Sequence, residues 1–294
     1  RVSNLPTVNG EKCVIRILAT GDVGVRKITD LGMTPYNYDR FSRLIKVPQG
    51  VMLVTGPTGS GKTTTLYAAL GELAKPNVNV ITVEDPVEKN IEGINQCQVN
   101  AKAGMTFAAA LRSILRQDPD IVMVGEMRDQ ETAEIAIRAA ITGHMVLSTL
   151  HTNDAASTIT RLVDMGVAPY MVATSLIGIV AQRLCKVVCN ECKTPRMSTP
   201  EENELLGITE SATIYDACGC PKCNNTGYTG RTAIHEILLC THEMASLIAA
   251  DGKVDAISSL AKEQGCKLLR DNVAELVLEG RTTLDELVKL TFAV

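Results

Sequence analysis

Tryptophan is absent from this 294-residue sequence, and three Phe and six Tyr are its only aromatic residues. An aromatic platform on which single-stranded nucleic acid could stack its bases is therefore not evident. Nor is there a block of like charge: 29 Lys and Arg stand against 33 Asp and Glu, a net charge of −4. That balance counts against a nucleic-acid motor, although local basic surfaces survive in acidic proteins. No apolar run approaches the roughly 18 residues of a membrane-spanning helix. No secretory leader opens the chain, no segment is disordered by composition, and no internal repeat is visible. The chain begins at Arg1 rather than Met, which reads as a fragment. With 45% hydrophobic residues it can bury a large core, and its length suits one large domain or two ordinary ones.

What is present is organised around residues 51–64, VMLVTGPTGSGKTT. The apolar, β-branched start predicts a buried strand. Gly56, Pro57, Thr58, Gly59, Ser60, Gly61, Lys62 and Thr63 then fit the phosphate-loop pattern G-x-x-x-x-G-K-[ST]. From Thr64 onward, Leu66, Leu70 and Leu73 fall on one side of a helix. The glycines allow a tight turn whose N–H groups point at an anion, and the new helix adds its own unpaired donors. Lys62 is placed for the β- and γ-phosphates of a nucleoside triphosphate, and the Thr63 hydroxyl for Mg²⁺.

Around this centre the chain alternates strand and helix, which predicts right-handed βαβ units and a mostly parallel α/β sheet. Residues 5–8 and 14–18 read as a hairpin turning at Asn9-Gly10. That is more β structure than a minimal phosphate-loop domain needs, so residues 1–19 read as the remnant of a preceding domain and 20–38 as a linker. A helix is expected over 39–45, strands over 78–83, 121–124 and 145–150, and helices over 106–117 and 131–141. A phosphate-loop core over 39–183 follows, then a cysteine-bearing subdomain over 184–231 with little periodicity. A strand over 232–239 and C-terminal helices complete 232–294. Thr199 with Glu202, and Thr283 with Glu286, have the spacing of capping boxes.

Phosphoryl transfer needs a metal holder, a water activator and cations. Glu126 follows an apolar strand where a Walker-B acid belongs, with Glu in place of the usual Asp, and is expected to hold Mg²⁺ with Thr63. Glu84 ends the neighbouring strand and is expected to orient or deprotonate the attacking water. The two roles are exchangeable, and Asp85 competes with Glu84. His151 also sits at a strand end facing that edge, whereas His144 precedes the strand and should be structural. Arg112, Arg116, Arg128 and Arg138 read as solvated salt-bridging positions, with an intersubunit role as the alternative.

Cysteine is abundant: ten residues, six of them (Cys185, Cys189, Cys192, Cys218, Cys220, Cys223) within forty positions. Cys189, Cys192, Cys220 and Cys223 form two C-x-x-C pairs 27 residues apart, which suits a closed structural Zn²⁺ site. Cys218 could replace Cys220, and redox chemistry of one pair is the alternative. Cys13, Cys97, Cys240 and Cys266 read as small buried hydrophobes.

Taken together, GPTGSGKTTT, VEDPVE, ILRQDPDIVMVGEMRD, TGHMVLSTLHTND and the paired C-x-x-C with GYTGR resemble the secretion-ATPase family. The resemblance is to its type II secretion and type IV pilus assembly (extension) branch. Retraction ATPases of the family lack the cysteine pairs. The resemblance implies a RecA-like core acting as a homo-hexameric ring at the cytoplasmic face of the inner membrane. ATP hydrolysis there would drive pilin or pseudopilin assembly through an inner-membrane platform protein, with no nucleic acid involved. By the same resemblance Glu84 lies in the Asp box, Glu126 is the atypical Walker-B acid and His151 belongs to the His box. Arg1 and Arg16 resemble arginines of the preceding domain that approach the γ-phosphate, and Arg231 is placed on the adenine side. The family's further N-terminal regions do not appear in this sequence. A RecA-like nucleic-acid translocase or helicase would share the core, and is the rival.

Overall fold

A computed structural model of the chain describes residues 2–15 and 26–292. Strands β1 (Val2–Thr7) and β2 (Gly10–Ile15) form the expected hairpin, exposed along its whole length. Thr7 pairs with Gly10, so Val8 and Asn9 make the turn, one residue earlier than expected. Helix α1 (Pro35–Leu44) starts four residues before the expected 39, because Thr34 caps it and Pro35 supplies a preset first turn. Strand β3 (Gly50–Thr55) leads through the glycine loop into α2 (Lys62–Leu73). There follow β4 (Val80–Glu84), β5 (Asn95–Gln98), α3 (Phe107–Ile114), β6 (Ile121–Val124), α4 (Gln130–Ile141) and β7 (Met145–Leu150). The polar β5 has no apolar alternation and was not legible in the sequence.

Helices α5 (Ala155–Asp164) and α6 (Pro169–Ser175) then feed β8 (Leu176–Val188). Beyond it lie β9 (Lys193–Met197), α7 (Pro200–Leu206), β10 (Thr213–Ala217) and β11 (Tyr228–Leu239). The chain continues through α8 (His242–Ala249), α9 (Val254–Glu263), α10 (Leu269–Leu278) and α11 (Leu284–Phe292). The stretch read as having little periodicity therefore contains regular structure: its two ends belong to β8 and β11, which pair antiparallel from Tyr228–Val188 to Leu239–Gly178.

Among the described residues, seven strands form one sheet in the order β11-β8-β3-β7-β6-β4-β5, parallel except for β11. The parallel strands β3, β4, β6 and β7 are buried on both faces, which is why they read as nearly unbroken apolar runs. Alternate residues serve opposite layers. Val51 and Leu53 pack with Val122, Val124 and Val146 beneath α3, α4 and α5. Met52 and Val54 pack with Met123 and Leu147 against Phe41, Leu66 and Leu70 of α1 and α2. Register aligns the strand ends: Thr55 pairs with Leu150, Ser148 with Val124, and Val124 with Val83. The segments that follow β3, β7, β6 and β4 thus leave the sheet side by side, where open α/β sheets place ligands.

Glu236 on β11 ties helices to this sheet. Its buried carboxylate accepts the backbone N–H of Ala155 (2.9 Å) and of Leu269 (3.2 Å), the first residues of α5 and α10. Burial holds its carboxyl above the ordinary Glu range against those two hydrogen bonds. The Thr199–Glu202 capping box forms as expected. The Thr283 hydroxyl meets Tyr228 (2.8 Å), and Glu286 accepts the Lys186 N–H (3.1 Å).

Candidate functional site

The loop after β3 turns on three glycines with positive φ, +144° at Gly56, +81° at Gly59 and +88° at Gly61. At Gly59 nothing stands within 4 Å of a would-be Cβ, so the backbone conformation alone demands glycine. At Gly56 a Cβ would meet the Gln182 carbonyl at 2.2 Å, so there packing demands it too. Lys62 is buried, and its ammonium donates to the carbonyls of Gly56 (2.8 Å) and Pro57 (3.0 Å). Burial draws Lys62 below the ordinary lysine range, and the charge of Glu126 opposes this.

Thr58 to Thr64 form one wall of a cavity of about 370 Å³ whose other walls include Glu84, Asp85, Glu88, Glu126 and His151. Sequence reasoning named all of these except Glu88. It lies four residues beyond Glu84 in the same VEDPVE loop, which was the available signal. Glu126 pairs with Arg128 and stands 3.8 Å from His151 Nε2; Arg128 also reaches within 4.0 Å of Asp85. Burial, then the Lys62 charge, lower His151 below the ordinary imidazole range, so it is neutral at pH 7. Glu84 is different. It is 3% exposed; one oxygen accepts the Tyr67 hydroxyl, and the other accepts Thr82 Oγ1 (2.6 Å) and Gln96 Nε2 (3.1 Å). Asp85 and Glu88 are exposed. His144 lies at the opposite sheet edge, where its carbonyl accepts the Gly50 N–H and its ring meets the Ala139 carbonyl.

A second cavity, of about 510 Å³, adjoins the first across Gly61, Thr63 and Thr64. Arg231 lines it, with Arg26, Asp30, Tyr67 and Gln182. Two adjoining cavities that share the loop suit a ligand with a phosphate end and a bulkier end. Hydroxyl and carboxylate oxygens at Thr63 and Glu126 are the hard donors Mg²⁺ prefers.

The four cysteines come together beyond the far end of β8. Cys189 opens a turn in which the N–H groups of Cys192 and Lys193 reach its carbonyl. The other pair flanks a short 3₁₀ turn, with left-handed Asn224 and Asn225 after it. All four sulfurs lie within 4.8 Å of one another, at 3.9 Å for Cys189–Cys220 and Cys192–Cys223 and 3.8 Å for Cys220–Cys223. A tetrahedron with Zn–S bonds of about 2.3 Å has edges of about 3.8 Å, so the donor set fits zinc. Disulfides, at about 2.05 Å, do not fit. Cys218 instead meets the Thr194 hydroxyl at 3.2 Å, and Cys13 is exposed rather than a buried hydrophobe.

With this geometry in view, the family model described as type II/IV secretion system protein matches residues 1–289. The chain belongs to this family. The type IV pilus assembly ATPase PilB of Thermus thermophilus is 49% identical over 295 residues, covering 99% of this chain and 33% of that protein. The type II secretion system ATPase E of Vibrio cholerae is 48% identical over 293 residues, 99% of this chain and 58% of that protein. The secretion-family chain therefore spans only about a third to three-fifths of these relatives' length. Among solved structures, the pilus retraction motor PilT with bound ADP matches with a TM-score of 0.73 at 28% identity, over 98% of this chain and 72% of that one. The resemblance seen in the motifs thus holds across the chain.

Two arginines singled out for the secretion-family site, Arg1 and Arg16, lie outside the described residues. Arg112 pairs with Glu131 on an exposed surface and Arg138 with Glu134, the ordinary solvated pairs expected of them. Tyr67 and Gln182 were missed, because nothing in a sequence reveals which buried polar side chain reaches a loop from another element. Among the described residues no helix is long and apolar enough to cross a membrane.

Proposed function

We propose that this chain is the ATP-hydrolysing part of a motor that drives pilin or pseudopilin assembly, in type IV pilus biogenesis or type II secretion. It would act as a hexameric ring on an inner-membrane platform protein at the cytoplasmic face. The observation that carries this is the convergence of Lys62, Thr63, Glu126 and His151 on one cavity at the carboxyl edge of a parallel sheet. Relatives named as a pilus assembly ATPase and a secretion ATPase, at 48–49% identity, support the biological setting.

ATP would lie with its phosphates in the loop and its nucleoside toward Arg231. Lys62 and the loop N–H groups neutralise phosphate charge, which is most of what phosphoryl transfer asks of a protein. Thr63 and Glu126 would hold Mg²⁺, which supplies further charge neutralisation. His151, neutral at pH 7, can accept or donate a hydrogen bond beside Glu126 without adding charge. Glu84, with both oxygens committed, organises the loop beneath the site. Activation of water passes to an exposed acid on that loop, Glu88, with Asp85 as its competitor. Cys189, Cys192, Cys220 and Cys223 would hold a structural Zn²⁺ and take no part in hydrolysis.

Magnesium-dependent phosphate release tests these roles. Glu126→Gln and Glu88→Gln should each lower turnover by at least roughly tenfold, while ADP still binds. Unchanged turnover in Glu126→Gln would sink its catalytic assignment.

A further inference from the structure

A phosphate loop is a series of peptide planes, and the direction of each plane decides whether its N–H faces the anion. In a trans peptide the C=O and N–H point opposite ways. A partner that grips a loop carbonyl from behind therefore aims the next N–H forward. Gln182, on β8, is such a partner. Its side chain is buried, Nε2 donates to the Ser60 carbonyl at 2.8 Å, and Oε1 accepts from the Thr65 hydroxyl at 2.6 Å. The first bond holds the 60–61 peptide, whose N–H belongs to Gly61, a residue lining both cavities. The second fixes the first turn of α2, two residues beyond Thr63.

Spacing is set by the same residue. A Cβ on Gly61 would come within 2.9 Å of Gln182 Nε2, and one on Gly56 within 2.2 Å of the Gln182 carbonyl. Two of the three loop glycines are thus packed directly on Gln182. The geometry asks for a donor and an acceptor at one branched end, which an amide supplies. A carboxylate of the same shape could accept from Thr65 but would face the Ser60 carbonyl with no proton to share.

We infer that Gln182 is a positioning residue for phosphate binding. Through the Ser60 carbonyl and the Thr65 hydroxyl it aims the Gly61 N–H and the start of α2 at the anion. This rests on the nucleotide reading of the loop proposed above. Gln182 also lines the nucleoside cavity, so a direct contact with the base or sugar must be separated from an effect on the phosphates.

The test is equilibrium binding of ADP and of inorganic pyrophosphate to the chain and to its Gln182→Glu and Thr65→Val variants, with melting temperatures recorded alongside. Gln182→Glu should weaken both ligands by a similar factor of about tenfold or more. Thr65→Val keeps the shape and removes one hydrogen bond, and should weaken both ligands by a smaller common factor; it stands in should Gln182→Glu fail to fold. Loss for ADP with pyrophosphate unaffected would make Gln182 a nucleoside contact and overturn the inference. Lower melting temperatures with unaltered affinities would reduce it to a structural residue, and overturn it as well. Failure of the unmodified chain to bind ADP would instead remove the nucleotide reading itself.

Discussion

Charge at single positions decides what the site can do. Glu126 keeps its carboxylate in the cavity beside Arg128 and His151, whereas Glu84, on the next strand but one in sequence, spends its oxygens on Tyr67, Thr82 and Gln96. Both residues end apolar strands, so the sequence ranks them alike; only their neighbours separate an acid that faces Arg128 and His151 from a buried one whose two oxygens are both hydrogen-bonded. His235 is a second case. It sits wholly inside, opposite Gln182 in the β8–β11 pairing, and burial lowers its pKa to about 3. Below pH 6.5 the unfolded chain takes up a proton that the folded chain refuses, so stability falls as pH falls, down to about pH 3. Urea unfolding should show His235 contributing a loss of about 1.4 kcal/mol per pH unit in that window. A His235→Met variant should lack that part of the slope.

At the scale of elements, local signals were read well where the chain satisfies itself. The glycine loop, its strand and its helix, and the Thr199 cap all depend on residues within a few positions of one another. The cysteine site is intermediate. Each C-x-x-C turn is local, but the two turns meet only because β8 and β11 pair and return the chain from Val188 to Tyr228. Purified protein should carry one zinc per chain. Cys189→Ser should lose it and increase proteolytic nicking of the stretch between β8 and β11, with ADP binding retained because none of the four cysteines lines either cavity. The helices α5 and α10 depend on a residue far from either, Glu236, for their first N–H groups. Glu236→Ala leaves two buried donors without their partner, and chemical denaturation should show a loss of about 3 kcal/mol.

For the whole molecule, the ring proposal makes a kinetic demand. If a neighbouring subunit completes the site, through Arg1 and Arg16 or the helix-borne arginines, ATP turnover per chain should climb with protein concentration. Flat, appreciable turnover across that range would mean that each chain is self-sufficient, and the ring mechanism would have to be withdrawn. The β1–β2 hairpin leaves Val2, Leu5, Val14 and Ile15 exposed.

By itself the sequence determined the α/β alternation, the phosphate loop with Lys62 and Thr63, the strand-end acids and the four-cysteine donor set. Each is carried by short-range pattern: apolar runs, glycine at strained turns, and ligand spacing. Tertiary structure alone decided that Glu84 is buried, that Glu88 lines the cavity, that Cys218 stays out of the cluster and that Gln182 grips the loop. Those outcomes depend on which distant polar group arrives first at a buried donor or acceptor, and on the strand order that brings β8 beside β3. Burial makes every such pairing costly to leave unmade, yet no local pattern in the chain records who the partner is.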